Sequence, residues 1–359
     1  MLAKNNDDKR YGNIDALRGF AAILVMILHT YNAFIGIAEI KDAAHMPENL
    51  FSYFDIGRIG ITIFFLISGF VIGRSIMGYE SHPIKTFFTH RFFRLFPLFW
   101  FSILLAIGLI KLTSDNPVDI SILLANVTML PAWFNKPFLI GLYWSLETEL
   151  IFYFLVFLIF CINRMKKVEY NIVVTLVLFC ISAVFVFSPQ VSPAKAHWMA
   201  TPYHLGLMFL GLTWREFYEH QSAHKIKQLF RLHLGLLLSV PAFFLFLFLL
   251  THKDLNLSDS IAYILGILVF GVGVKYWRKP HSIALFFGKI SYSIYLLHPV
   301  VFQFFLHFYV LGKFNPTKNL FFYLIICILS TIALSYITYR FIEKPFVTLG
   351  KRISKNIIG

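Results

Sequence analysis

Residues 13–34 read NIDALRGFAAILVMILHTYNAF, an apolar run long enough to cross a lipid bilayer as a helix. A span needs about 20 residues at a rise of about 1.5 Å each. Two of its side chains, Arg18 and His29, are costly to place in lipid. They are eleven residues apart, about three helical turns, so a helix carries both on one face, roughly 16 Å apart along its axis. The run predicts a first membrane helix with a functional polar face. The alternative is that Arg18 reaches the cytoplasmic surface and His29 bonds a neighbouring helix.

Further blocks of sequence accompany this spacing. They are GITIFFLISGF at 60–70, HRFFRLFP at 90–97, YWSLETELIFY at 143–153, KISYSIYLLHP at 289–299 and RFIEKP at 340–345. An arginine and a histidine separated by ten residues on a first membrane helix, followed by these blocks in this order, resemble the membrane-bound acyltransferase 3 family. The resemblance covers about 330 of the 359 residues. It implies an integral membrane acyltransferase.

The composition is that of a membrane protein. Hydrophobic residues make up 58% of the chain and charged residues 14%, and the mean hydropathy is +0.71, values that exclude an ordinary soluble domain. The net charge of +14 raises the alternative of nucleic-acid binding. The basic residues, however, cluster in short loops between apolar runs, as they do in proteins embedded in a lipid bilayer. We therefore expect no nucleic-acid partner.

Ten apolar runs are long enough to be transmembrane helices. They cover about 14–37, 56–77, 93–112, 142–163, 171–189, 201–217, 233–251, 259–275, 286–310 and 319–341. We therefore predict an all-α polytopic membrane protein with about ten spans. The apolar segment 118–134 is shorter and is broken by Pro131, which favours a re-entrant or interfacial helix over an eleventh span.

The distribution of Lys and Arg predicts the topology. With ten spans and the N-terminus inside, the cytoplasmic side holds 24 of the 32 basic residues and the opposite side holds eight. Such an excess is typical of cytoplasmic loops, so both termini are expected in the cytoplasm. An eleventh full span would place the basic loop at 164–167 outside. We expect a multi-pass protein of the cytoplasmic (inner) membrane.

Three parts of the chain follow from these boundaries. Residues 1–13 are a polar cytoplasmic lead, 14–345 are the acyltransferase 3-like transmembrane domain, and 346–359 are a basic cytoplasmic tail. Some members of the family that the chain resembles carry a fused extracytoplasmic domain. Because the chain ends at Gly359, we expect no such domain here and place the chemistry inside the membrane domain.

Three arginines are candidates for binding the phosphates of coenzyme A, the acyl donor that the resemblance implies. They are Arg18, Arg91 and Arg94. A guanidinium group binds phosphate with two parallel hydrogen bonds and stays charged, and Arg91 and Arg94 share a face near the cytoplasmic start of their helix. The alternative is that all three are topology anchors.

Candidate catalytic residues come from the same blocks. His29 is the natural general base because an unperturbed imidazole titrates near neutrality, and it lies where the thioester end of a clamped donor would reach. The resemblance implies Glu149 as a catalytic acid that either orients His29 or binds the acceptor. It also implies Trp144, Tyr295 and His298 as substrate contacts, for which a structural role is the alternative. We predict no metal site, because the sequence contains no HExxH motif.

We interpret the chain as an O-acetyltransferase. It is expected to transfer acetyl from acetyl-coenzyme A to hydroxyls of a cell-surface polysaccharide or a lipid-linked glycan, with no permanently bound cofactor. Acetyl as the acyl group and carbohydrate as the acceptor are implied only by the resemblance. Transfer of another acyl group, or transfer to a non-carbohydrate acceptor, is the alternative. From a different class, a transporter of a polar metabolite would also place Arg and His inside the membrane. Transporters often have two related halves, and the sequence shows no such symmetry. The sequence does not predict the oligomeric state.

Overall fold

The computed structural model of the protein describes residues 11–37, 54–77, 82–113, 118–165, 167–186, 197–251, 257–312 and 319–358. Within these ranges the secondary structure is helical and contains no strand. The helices are α1 Gly12–Ile35, α2 Ile56–Met77, α3 Pro83–Thr113, α4 Ile120–Val127, α5 Trp144–Cys161, α6 Val168–Val186, α7 Thr201–Glu219, α8 His224–Thr251, α9 Leu257–Tyr276, α10 Ser282–Val310, α11 Leu320–Thr338 and α12 Lys344–Ile358. The predicted all-α polytopic fold is confirmed.

Eight helices of the described part of the chain are long and apolar enough to cross a membrane. The other two predicted spans are also helices. The apolar stretch of α6 is shorter, and α7 carries polar residues such as His204 and Arg215. Nearly all of α7 is buried among other helices, so its polar side chains contact protein. These polar residues lower the mean hydropathy of α7.

Two helix crossings hold the centre of the bundle. Helix α1 packs most extensively against α10, and α2 against α7. A Cβ atom on Gly288 of α10 would lie 2.1 Å from the main-chain oxygen of Asp15, and one on Gly69 of α2 would lie 1.8 Å from that of Met208. Only glycine permits such approaches, which are typical of packed membrane helices. The first crossing fixes the two histidines described below.

Helix α3 begins earlier than the sequence predicted. Its first residue is Pro83, whereas the predicted span began at 93, so Arg91 and Arg94 lie well inside the helix and not at its start. The polar residues of 83–92 lowered the hydropathy there. Thr86 and Arg91 are nevertheless buried. Arg91 packs on Tyr153 of α5, and α12 covers the face of α3 that carries His90 and Phe93.

The segment 118–134 does not span the membrane. Helix α4 has eight residues and is followed by a 3-10 turn, Pro131–Phe134, so it is about 12 Å long and far shorter than the hydrocarbon core. Asp119 caps it by accepting from the amide of Ser121 at 2.8 Å, a bond that lowers the pKa of the exposed Asp119 carboxyl. Exposed Ile120 and Leu124 fit the predicted interfacial position.

The C-terminal residues are a helix continuous with α11. A π-helical turn, Tyr339–Glu343, joins α11 to α12. The predicted tail 346–359 therefore lies within α12 up to Ile358, and α12 packs against the first half of α3. Its first contact is between the rings of Phe346 and Phe93, whose centroids are 6.5 Å apart.

Candidate active site

A cavity opens between α1, α2, α3, α5 and α10. It encloses about 670 Å³ of empty space, part of it open to solvent. Its polar lining consists of Arg18, Ser68, Arg91, Arg94, Ser145, Glu149, Ser291, Tyr292 and Tyr295. The three arginines predicted to bind a donor thus come together with predicted Glu149 and Tyr295. Apolar residues of α2, among them Phe64 and Phe65, form the opposite wall.

The arginines form one positive cluster. Arg91 and Arg94 lie close enough to Arg18 to interact with it electrostatically. Arg18 also donates to Asp15 at 3.4 Å, one turn earlier on α1. The guanidinium of Arg91 lies 5.0 Å from the ring centroid of Tyr153, which fixes its plane. Three guanidinium groups around one cavity form a site that suits phosphate groups.

Glu149 belongs to this arginine end of the cavity. Its Oε1 accepts from Ser68 Oγ at 3.2 Å and from the hydroxyl of Tyr153, and it interacts electrostatically with Arg18. The sequence left open whether Glu149 orients His29; in the structure the side chain hydrogen-bonded to His29 is that of His298. Ser68 of α2 is also part of the polar lining.

His29 is paired with His298. The Nδ1 of His29 lies 2.9 Å from the Nε2 of His298, and the two rings are stacked with centroids 5.2 Å apart. His298 is buried and His29 is half-buried. The pair joins α1 to α10, so the crossing of these helices sets its geometry.

The hydrogen bonds assign the proton positions in the neutral pair. The carbonyl oxygen of Ile294 only accepts, so the Nδ1 of His298, 3.0 Å away, carries a proton. The Nε2 of His298 is then an acceptor, and the Nδ1 of His29 donates to it. The Nε2 of His29 is left with its lone pair. This is the tautomer that a general base needs.

Tyr295 lies between the arginine end and the histidine pair. Its ring lines the cavity, and the ring centroid is 6.2 Å from that of His298. Its hydroxyl is held 2.6 Å from Ser145 Oγ. The cavity lining does not itself include either histidine, and Tyr295 is the lining residue whose ring contacts His298.

Trp144 is placed outside this lining. Its ring packs 5.0 Å from that of His204 and 6.1 Å from that of Phe65, behind the α2 wall. Beyond it lies a second polar cluster, in which Arg58 pairs with Asp259 at 2.8 Å. Asp55, which also pairs with Arg58 at 3.5 Å, is close enough to His29 to interact with it electrostatically.

Glu343 is a residue that sequence reasoning missed. It accepts from Ser293 Oγ at 2.8 Å through Oε2 and interacts electrostatically with Arg18 and Arg94. It ends the π-helical turn, a type of insertion found frequently at functional sites. The sequence feature that could have indicated Glu343 is the block RFIEKP, in which a carboxylate directly follows an apolar span.

A family described as an acyltransferase domain matches residues 11–340. The chain belongs to this acyltransferase family. The matched residues include every polar residue of the cavity lining. Acyltransferase MdmB of Streptomyces mycarofaciens is 29% identical over 154 residues, which are 40% of this chain and 38% of that protein. The chain therefore matches well under half the length of that relative. No solved structure matches the chain significantly.

Proposed function

We propose that the protein is an integral membrane O-acyltransferase of the inner membrane that transfers acetyl from acetyl-coenzyme A to a hydroxyl of a surface polysaccharide or lipid-linked glycan. The observation that carries the proposal is the arrangement on one helix, α1, of an arginine in an anion-binding cavity and a histidine base beyond it. Family membership supports acyl transfer. The choice of acetyl as the acyl group and of carbohydrate as the acceptor rests on the resemblance of the sequence blocks.

The donor fits the cavity by charge and by shape. Coenzyme A carries its phosphates at one end and its thioester at the tip of a long flexible arm. Arg18, Arg91 and Arg94 would hold the phosphates, and the arm would pass Tyr295 towards His29, roughly 16 Å from Arg18 along the α1 axis. Binding the anionic end remotely in this way orients the reacting carbonyl.

The reaction follows from the proton positions in the histidine pair. The Nε2 of His29 takes the proton of the acceptor hydroxyl as its oxygen attacks the thioester carbonyl. The carbon–sulfur bond then breaks, and the leaving thiolate receives the proton from the imidazolium. His298 accepts the Nδ1–H of His29 throughout and so stabilises the imidazolium that forms. The products are an ester and the free thiol of coenzyme A.

The acceptor would enter from the side opposite the donor. In the predicted topology the arginine end of α1 faces the cytoplasm and Asp55 lies near the opposite surface. The cluster of Arg58, Asp55 and Asp259 provides charged hydrogen-bonding groups on that side of His29. A polar acceptor such as a sugar finds hydrogen-bonding partners in this cluster.

The test is release of the thiol by purified protein. Reconstituted protein is given acetyl-coenzyme A with and without carbohydrate acceptors, and free thiol and acetylated sugar are measured together. The proposal predicts acceptor-dependent thiol release and ester formation. No thioester cleavage, with labelled solute accumulating in sealed vesicles, would instead support a transporter. Acetyl content of surface glycans in cells with and without the gene identifies the acceptor.

A further inference from the structure

Helix α12 has three different faces. One face packs against α3, where Ser354 Oγ lies 2.7 Å from His90 Nε2 and a Cβ atom on Gly350 would lie 2.8 Å from the Cβ of Phe93. This contact fixes the helix to the bundle at the level where α3 begins. The other two faces point away from the protein.

One of the outward faces is apolar. Phe341, in the π-helical turn, is 73% exposed, and Leu349 is 42% exposed. They lie beside Pro345, also exposed. An apolar face next to a basic one is typical of helices that lie in the plane of a membrane surface. Because α12 continues directly from α11, a candidate span, its first turns are at the end of that span.

The remaining face is basic and forms a groove, and Pro345 and Leu349 of the apolar face line its edge. Arg340, Lys344, Pro345, Thr348, Leu349 and Arg352 line it. The groove contains about 640 Å³ of empty space, part of which is open to solvent. In the described part of the chain, no carboxylate pairs with any of its three cations.

We infer that this groove binds the phosphate headgroup of an anionic phospholipid of the cytoplasmic leaflet. Arg340, Lys344 and Arg352 supply positive charge along the groove for the phosphate, beside Thr348, whose hydroxyl donates to the carbonyl of Lys344 at 2.8 Å. Phe341 and Leu349 contact the acyl chains. Cations beside exposed apolar side chains suit a ligand that carries both a phosphate and acyl chains, and a soluble anion has no acyl chains for Phe341 and Leu349 to contact. The assignment is independent of the proposed acyl transfer.

The experiment measures lipid retention directly. Purified full-length protein in detergent is titrated with phosphatidylglycerol or phosphatidylcholine, and bound lipid is counted by native mass spectrometry. The wild type should bind phosphatidylglycerol more tightly. Lys344→Gln combined with Arg352→Gln should weaken phosphatidylglycerol binding by about 25-fold, since each basic residue near an anionic surface contributes about fivefold. Phosphatidylcholine binding should not change.

A matched control removes the same two charges elsewhere on the predicted cytoplasmic side. Arg278→Gln combined with Lys279→Gln alters an exposed loop and should leave both affinities unchanged. Thr348→Glu, which adds a repelling carboxylate to the groove, should also weaken phosphatidylglycerol binding. This variant replaces the double variant in the test if the double variant does not fold. Equal binding of the two lipids, or equal losses in groove and control variants, would overturn the assignment. Displacement of the lipid by excess glycerol 3-phosphate would identify a site for soluble phosphate and overturn it too.

Discussion

His29 and His298 are 269 residues apart in sequence, and their ring nitrogens Nδ1 and Nε2 are 2.9 Å apart in space. The bond from His298 Nδ1 to the Ile294 carbonyl determines which ring nitrogens of the two histidines donate and which accept. It leaves the lone pair of the neutral pair on His29 Nε2. His298 is thus a positioning residue in the proposed reaction, and His29 is the base.

Replacement of His298 tests this division of roles. In His298→Phe, His29 loses its acceptor, and transfer should fall by about fivefold to tenfold, the effect of one hydrogen bond of about 1–1.4 kcal/mol. His298→Gln should be milder, because its amide oxygen still accepts. Donor affinity should stay unchanged in both. Rates and donor affinity are measured in parallel, and equal activity of the two variants would show that the hydrogen bond does not matter.

The arginines should act on the donor. Arg18→Ala, Arg91→Ala and Arg94→Ala should each raise the donor dissociation constant roughly 10- to 150-fold, because each removes a charged hydrogen bond worth about 1.5–3 kcal/mol. Lysine should rescue binding only in part, since the planar fork is lost. Isothermal titration with coenzyme A measures the effect, and Arg278→Ala is the exposed control. Unchanged affinity in all three variants would reduce these arginines to topology anchors.

Glu343 is one of three carboxylates, with Asp15 and Glu149, that interact electrostatically with the arginine cluster. Glu343→Gln keeps the size of the side chain and an acceptor for Ser293 but leaves Arg18 and Arg94 short of a counter-charge. The midpoint of thermal unfolding of this variant should fall. Coenzyme A should raise that midpoint by more than it does in the wild type, because its phosphates then replace the lost negative charge. Ser293→Ala retains the carboxylate, so its response to coenzyme A should match the wild type. An equal response in Glu343→Gln would contradict this account.

The topology has a labelling test. In a background with Cys161, Cys180 and Cys327 replaced by alanine, a cysteine at Thr113 should react with an impermeant thiol reagent in intact cells. A cysteine at Lys355 should react only after the membrane is opened. Both positions are exposed in the structure. Labelling of the Lys355 position from outside would show that the predicted topology, ten spans with both termini inside, is wrong.

Periodicity was sufficient to predict what lies on one helix. Arg18 and His29 share α1 as expected, and Arg91 and Arg94 line one cavity. What the sequence could not supply is which helices are neighbours. The pairing of His29 with His298 depends on the close glycine contact between α1 and α10, which is a property of packing and not of spacing.

Burial by another helix explains the boundary errors. The first turns of α3 are too polar to be recognised by hydropathy, but α12 covers them. Glu343 was overlooked for a related reason, because a carboxylate at the end of an apolar run is normally solvated. Here the π-helical turn and Ser293 keep it against the bundle.

The most direct test of the proposed mechanism is acetyl transfer by purified His29→Gln. Glutamine keeps hydrogen-bonding capacity and much of the size of histidine but cannot take a proton at neutral pH. The account predicts normal folding, nearly unchanged coenzyme A affinity and a loss of transfer of about 100-fold or more, the usual effect of a positioned general base. His224→Gln, at an exposed position, should be fully active. If His29→Gln retains more than about a tenth of wild-type transfer, a smaller loss than removal of a general base produces, His29 is structural and the mechanism is wrong.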